Sequence, residues 1–280
     1  MRRCLVVVLP LMLVSSDAMA QVTDAPQRVS NATMLVVNAA LGGFTAGLWR
    51  AAAGKPSWTA FGRGAAAGTV VFAGKRIIGE ATSPAWWFGR QLAAVGSSEV
   101  ANAAQGKPFL QTAVLPLGPL RIHIDRSARR KVSPRLDLAS SIATIAVASQ
   151  DGSRFAIRES VSTGAIVFLV PETSNEVGRS SAGVVTISEL APDGKFPPLE
   201  GKRSVLSHEI VHASQYDFGF SAWGDAMQSA LAKRNSWGRR ISSFVDINLA
   251  LPIQLGANGI IDYEDRPWER EAVSLAANGR

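Results

Sequence analysis

The sequence predicts an α+β fold, on three observations. Residues 31–105 form long Ala/Gly-rich apolar stretches of helical length. Residues 108–190 hold short β-branched runs separated by turn residues. Residues 203–278 return to helical patterning. With 280 residues, 47% hydrophobic and 18% charged, the chain has material for a buried core, and its composition argues against global disorder.

Residues 1–20 read as a signal peptide and stand outside the fold. Arg2 and Arg3 give a positive start, Cys4 to Leu13 is an apolar run, and Ala18-Met19-Ala20 offers the small residues of a cleavage site. The run is too short to span a bilayer, so export with a mature start near Gln21 is the expectation, in the periplasm, secreted or membrane-associated. Cys4 is the single cysteine. The mature chain therefore has no disulfide partner and no thiolate ligand. The net charge of +7 includes Arg2 and Arg3; its densest cluster, Arg126, Arg129, Arg130 and Lys131, reads as a solvated turn between strands. No nucleic-acid motif accompanies it, so no nucleic-acid partner is expected.

In the first zone, Asn31 to Trp49 lacks any charge and contains Gly42, Gly43 and Gly47. Phe61 to Ile78 contains Gly62, Gly64, Gly68 and Gly74, and Trp86 to Ala104 opens on aromatic residues. Small residues along apolar helices let backbones approach closely, as in membrane helix pairs. The first stretch is almost long enough to cross a bilayer, but the second is shorter and carries Arg63, Lys75 and Arg76. Peripheral membrane contact through 31–105, or a soluble helical subdomain, is expected rather than a spanning hairpin.

In the second zone (sheet 108–190), Leu120 to Asp125 alternates apolar and polar residues, the period of a half-buried strand. Ile142 to Val147, Phe155 to Arg158, Ala165 to Val170 and Gly183 to Ile187 read as further strands of a mostly antiparallel sheet. In the third zone (active-site helices 203–278), helices are expected over Ser204 to Tyr216, Ala222 to Asn235 and Trp268 to Ala277. Pro267 opens the last of these, a position where proline is well tolerated.

Chemistry concentrates in Ser207-His208-Glu209-Ile210-Val211-His212-Ala213-Ser214-Gln215, which holds two of the three histidines of the chain. Residues four apart share a helix face, so His208 and His212 can turn both imidazoles toward one ion, and neutral imidazole suits Zn2+. Glu209, beside the metal rather than on it, is placed to act as a general base. A catalytic zinc keeps three protein ligands. With cysteine absent, the best source of the third is Glu269-Arg270-Glu271-Ala272. Glu269 and Glu271 point roughly opposite ways around a helix. Glu269 shares its face with the small Ala272 and reads as the ligand. Glu271 reads as solvent-facing or as a support behind the ligands.

His208-Glu-Ile-Val-His212 with Gln215, then Tyr263 and Arg266-Pro267-Trp268-Glu269-Arg270-Glu271-Ala272, resembles predicted bacterial metallopeptidase domains with HExxHxxQ and a downstream PxExEA. More distantly it is similar to CAAX-protease-type and ImmA-type gluzincins. The resemblance covers about the last 80 residues. It implies a zincin-like zinc peptidase with His208, His212 and Glu269 as ligands, Glu209 as catalytic base, and a peptide or protein substrate. Val273 stands where the CAAX type has an aspartate, so the support of the ligands must come from elsewhere: Asp262, Glu264 or Gln215.

Transition-state stabilisation is open among Tyr216, Tyr263 and Arg266. His123, on the alternating strand, reads as half-buried or solvated, with an oxyanion or second-metal role as the alternative. By analogy with zinc proteases whose sheet edge pairs with extended substrate, Gly183 to Ile187 is the expected edge. The competing functional reading is an envelope or membrane-associated scaffold with a structural or vestigial metal site. A serine hydrolase lacks its Gly-x-Ser-x-Gly elbow.

Overall fold

The structure, a computed structural model, describes residues 29–80, 83–171, 178–188, 199–224, 236–241, 243–248 and 266–276. The expected signal segment, Tyr263, Asp262, Glu264 and most of the helix expected over Ala222 to Asn235 lie outside the described residues.

The fold is α+β. Helices α1 (Asn31–Ala52), α2 (Trp58–Glu80) and α3 (Ser83–Gln105) come first. Strands β1 (Thr112–Leu117), β2 (Leu120–Asp125) and β3 (Val132–Asp137) follow, then α4 (Leu138–Ala148), β4 (Arg154–Phe155), α5 (Ile157–Thr163), β5 (Ile166–Val170), β6 (Gly178–Ser181) and β7 (Val184–Ser188). Helix α6 (Leu199–Gly219) runs into a π-helical turn over Phe220–Gly224. Helix α7 (Ser236–Ile241), strand β8 (Val245–Asp246) and helix α8 (Pro267–Ala276) complete the described elements.

Two of the expected strands are helical. Ile142 to Val147 lies in α4, because Asp137 caps that helix, its carboxylate accepting from Ser140 N at 3.1 Å. Alanines at 139, 143, 146 and 148 favour the helix further. Of Phe155 to Arg158 only the first residue is strand. Ile157 starts α5, which Gly164 ends in the left-handed conformation, φ 67°. The expected single sheet is instead two four-stranded sheets, and four of their six strand pairings are antiparallel, as expected. One has the order β1-β2-β3-β8, with the last pair parallel; the other is β4-β5-β7-β6, with β5 and β7 parallel. Arg126, Arg129, Arg130 and Lys131 lie exposed in the turn between β2 and β3.

Several glycines of α1 to α3 sit where helix backbones touch. A Cβ on Gly64 would overlap the Gly42 carbonyl, and one on Gly79 would overlap the carbonyl of Leu275 in α8. The opposite face of α1 is apolar and open: Val36, Val37, Leu41, Phe44 and Leu48 are exposed, and Trp58 at the start of α2 is 85% exposed. Helix α1 is long and apolar enough to cross a membrane by length and composition. Its inner face joins the main core. There Met34, Phe72, Ile78 and Trp86 pack with Val167, Val185, Ile187, Leu206, Ile210, Val211, Ala272 and Leu275.

A buried ionic network fixes α6 against α3 and the first sheet. Asp217 accepts from Arg90 Nε at 3.0 Å and from Arg121, which also donates to Asp137 at 2.7 Å. Tyr216 donates to the same Asp137, and the Arg121 guanidinium lies 4.9 Å from the Phe220 ring centroid. Burial works against the charge of Asp217, but the two guanidiniums outweigh it and hold the carboxyl below its usual range.

Candidate metal centre

Helix α6 runs through the core with Ile210, Val211 and Ala213 fully buried. That burial aims the remaining face, His208, His212 and Gln215, at the first turn of α8. Trp86 of α3 donates to Ser207 Oγ at 3.1 Å beside that face. On the facing helix, the Arg266 carbonyl accepts from Glu269 N at 3.1 Å and Arg270 N at 3.2 Å, which closes the turn behind Pro267. Ala272, fully buried, lets α8 lie close.

Three side chains converge there. Nε2 of His212 is 3.0 Å from Nε2 of His208 and 3.1 Å from Oε2 of Glu269, and the third side of the triangle, His208 Nε2 to Glu269 Oε2, is 3.3 Å. The two imidazoles stand edge to face at 81°. Two ring nitrogens and a carboxylate oxygen this close need a shared cation between them, either a proton or a metal ion. A tetrahedral ion with bonds of about 2.0–2.1 Å has ligand–ligand edges of about 3.3–3.4 Å. The observed triangle therefore fits three of its corners after shifts of a few tenths of an ångström. Glu269 is fully buried, and its Oε1 has no hydrogen-bond partner among the described residues, a further sign of a donor set larger than its protein contacts. These three are the described residues grouped so that they could hold a metal ion.

In the metal-free protein the charges are strongly coupled. Burial disfavours a charged His212, yet the Glu269 carboxylate, helped by Glu209, outweighs it and lifts the imidazole to about 9. Burial likewise opposes ionised Glu269, but His212 and the hydrogen bonds from both histidines take it well below the usual carboxylate range. His208 is the member of the group that reaches solvent, its side chain 15% exposed.

Glu209 is buried on the flank of this group, its side chain against Gly178 of β6. Strand β6 lies at the edge of its sheet, whereas β7 is enclosed between β5 and β6. The expected edge, Gly183 to Ile187, is thus an interior strand, and β6 is the edge strand beside α6.

Behind the ligands, Gln215 accepts from His212 Nδ1 at 2.7 Å and donates to Glu271 Oε2 at 2.8 Å and the Trp268 carbonyl at 3.2 Å. Glu271 does not face solvent. It takes Lys75 Nζ at 2.8 Å and Asn38 Nδ2 at 2.6 Å. The roles of Lys75 and Asn38 escaped the sequence reading, although a lysine within an apolar glycine-rich helix and an asparagine inside the charge-free stretch from Asn31 to Trp49 already demand buried partners. Arg266 is buried just ahead of α8. Tyr216 spends its hydroxyl on Asp137, so the oxyanion role weighed for it does not fit. His123 pairs with Asp246 across the first sheet, where Arg135 joins it at 3.3 Å. The structure does not bring it to the ligand group.

Comparison with models of known protein families, with curated proteins and with solved structures returned no match.

Proposed function

We propose that this chain is an exported zinc-dependent metallopeptidase of the gluzincin kind. The observation that carries the reading is the convergence of His208, His212 and Glu269, one atom each, within 3.0–3.3 Å. Two of them come from an HExxH helix and the third from a helix opened by Pro267. The donor set is that of a catalytic zinc with three protein ligands and one open position.

When bound, zinc supplies a lowered water pKa and polarises a carbonyl. His208 Nε2, His212 Nε2 and Glu269 Oε2 would hold it. Glu209 takes the proton of the attacking water and passes it to the leaving amine nitrogen. Gln215 keeps His212 turned toward the ion. An extended peptide substrate adds alongside β6, the edge strand next to Glu209. The positive start, apolar run and Ala-Met-Ala of residues 1–20 support export.

The test is metal content and peptidase turnover together. Glu209→Gln keeps about one zinc per chain and loses roughly a hundred- to ten-thousandfold in turnover, while His212→Ala and Glu269→Ala lose the metal. A second reading, an envelope or membrane-associated scaffold with a structural or vestigial metal site, draws on the open apolar face of α1. Wild-type protein that retains no zinc, or retains it with no turnover on any peptide library, favours the scaffold.

A further inference from the structure

A neutral imidazole can ligate a cation through Nε2 only if its proton sits on Nδ1. At His212 that choice falls to Gln215, whose amide offers an acceptor at one end and a donor at the other. With Oε1 toward the ring, 2.7 Å from Nδ1, Nδ1 carries the proton and Nε2 is left as the ligand. With the amide turned over, its NH2 would demand a lone pair on Nδ1 and drive the proton to Nε2, where it blocks the metal.

The far end of the amide decides between the two. It meets Glu271 Oε2 at 2.8 Å and the Trp268 carbonyl at 3.2 Å. Both are acceptors, so the NH2 alone fits there. A carboxylate facing an ammonium group offers acceptors only, and Glu271 faces Lys75 Nζ at 2.8 Å in an interior where Lys75 is 4% exposed. Asn38 completes the clamp. Its Nδ2 donates to Glu271 at 2.6 Å and to the Met34 carbonyl at 2.9 Å, and its Oδ1 accepts from Lys75 at 3.0 Å. Every polar atom in the chain is therefore pinned, and the direction of the chain starts at the lysine.

We propose that Lys75 is a positioning residue for the metal centre: acting through Glu271 and the amide of Gln215, it fixes His212 in the Nδ1–H tautomer that leaves Nε2 as a ligand. The inference rests on the three-ligand reading of the site. It gives the glycine-rich helices a part in the chemistry, because α1 and α2 supply the polar anchor of a ligand on α6.

The tautomer is read from 1H–15N spectra of histidine-labelled, metal-free protein carrying Glu269→Ala at alkaline pH, because the carboxylate 3.1 Å from His212 Nε2 otherwise draws a proton there. Zinc affinity is read by chelator competition with Glu269 in place. The Glu269→Ala parent shows the Nδ1–H form. Lys75→Met gives a tautomer mixture and about ten- to a hundredfold weaker zinc, and Lys75→Arg restores both. Since Lys75→Met leaves Glu271 buried without its cation, the doubly neutral Lys75→Met/Glu271→Gln serves as a second variant. Without the ammonium nothing orients the new amide at position 271, so Gln215 can turn and the same mixture appears, whereas Glu271→Gln alone keeps the Nδ1–H form because Lys75 still draws the amide oxygen toward itself. A pure Nδ1–H tautomer in the folded double variant or in folded Lys75→Met, whatever the zinc affinity, overturns the proposal. Wild type that binds no zinc defeats the reading beneath it, and the metal-free spectra then decide the relay by themselves.

Discussion

Gly178 and Glu209 touch across the junction of β6 and α6: a Cβ on the glycine would stand 3.1 Å from Oε1 of the glutamate and 2.6 Å from Cγ1 of Val205. Both neighbours are held in place, Glu209 by its burial and Val205 by its stiff branched side chain. Gly178→Ala must displace the strand or the glutamate. The expected result is a loss of about 1–3 kcal/mol in stability from overpacking and a fall in turnover with zinc content unchanged. Denaturant unfolding beside metal analysis checks it, and unchanged turnover would detach Gly178 from the placement of Glu209.

A parallel contrast tests how α8 is held. Gly79→Ala drives a methyl into the Leu275 backbone, whereas a Cβ on Gly62 of the same helix meets nothing within 4 Å. Gly79→Ala is expected to weaken zinc binding, because Glu269 rides on α8, and to cost about 1–3 kcal/mol. Gly62→Ala should be neutral or stabilising by up to about 1 kcal/mol. Equal effects from the two would remove the backbone contact as the cause.

Metal affinity should climb with pH. His212 in the metal-free protein keeps its proton up to about 9, so an ion binding at neutral pH must expel it. Apparent affinity is expected to rise about tenfold per pH unit through neutrality and to level off above 9. Calorimetry in buffers of different ionisation enthalpy should detect the released proton; its absence at pH 7 would contradict the coupling to Glu269.

The same pair shapes the stability of the metal-free protein. His212, raised from 6.5 to about 9, contributes stability that is fully present below 6.5 and lost as pH rises through 9. Glu269, lowered from 4.5, contributes above 4.5 and loses its share as pH falls through its depressed value. The joint contribution is greatest between 4.5 and 6.5. Thermal unfolding of chelator-treated protein at three pH values, against Glu269→Gln, checks the window; a wild-type advantage that grew toward pH 9 would refute it.

Asp217→Asn should be among the most damaging single changes. It leaves Arg90 and Arg121 buried together with one carboxylate fewer, a situation that costs about 3–5 kcal/mol. Urea unfolding measures it, and a cost below about 1 kcal/mol would mean that water enters the network.

The shared face of His208 and His212, and the place of Glu269 on a helix opened by Pro267, were legible in the sequence because each is local. His208 and His212 sit one helical turn apart, and Glu269 shares a turn with Pro267 and Ala272. The first three helices were legible for the same reason, from long apolar stretches without breaks. Helix α4 was not, since Ile142, Thr144, Ile145 and Val147 favour a strand, and the Asp137 cap outweighs them only once Arg121 and Tyr216 hold that carboxylate in place. Partnerships such as Lys75 with Glu271, or Arg90 with Asp217, join residues 196 and 127 positions apart. Nothing in local spacing encodes them. The exchange of β6 for β7 at the sheet edge has the same origin, because chain order does not fix strand order.

His212 and Glu269 lie 57 positions apart, in a chain whose single cysteine is Cys4. A cation held between them closes that span as a covalent bridge would, on the order of 3–4 kcal/mol by the loop-entropy measure used for disulfides. Such an ion would make the group a clasp. It would open to chelators but not to reductants, and would give a chain without a second cysteine the kind of cross-link that other proteins draw from sulfur.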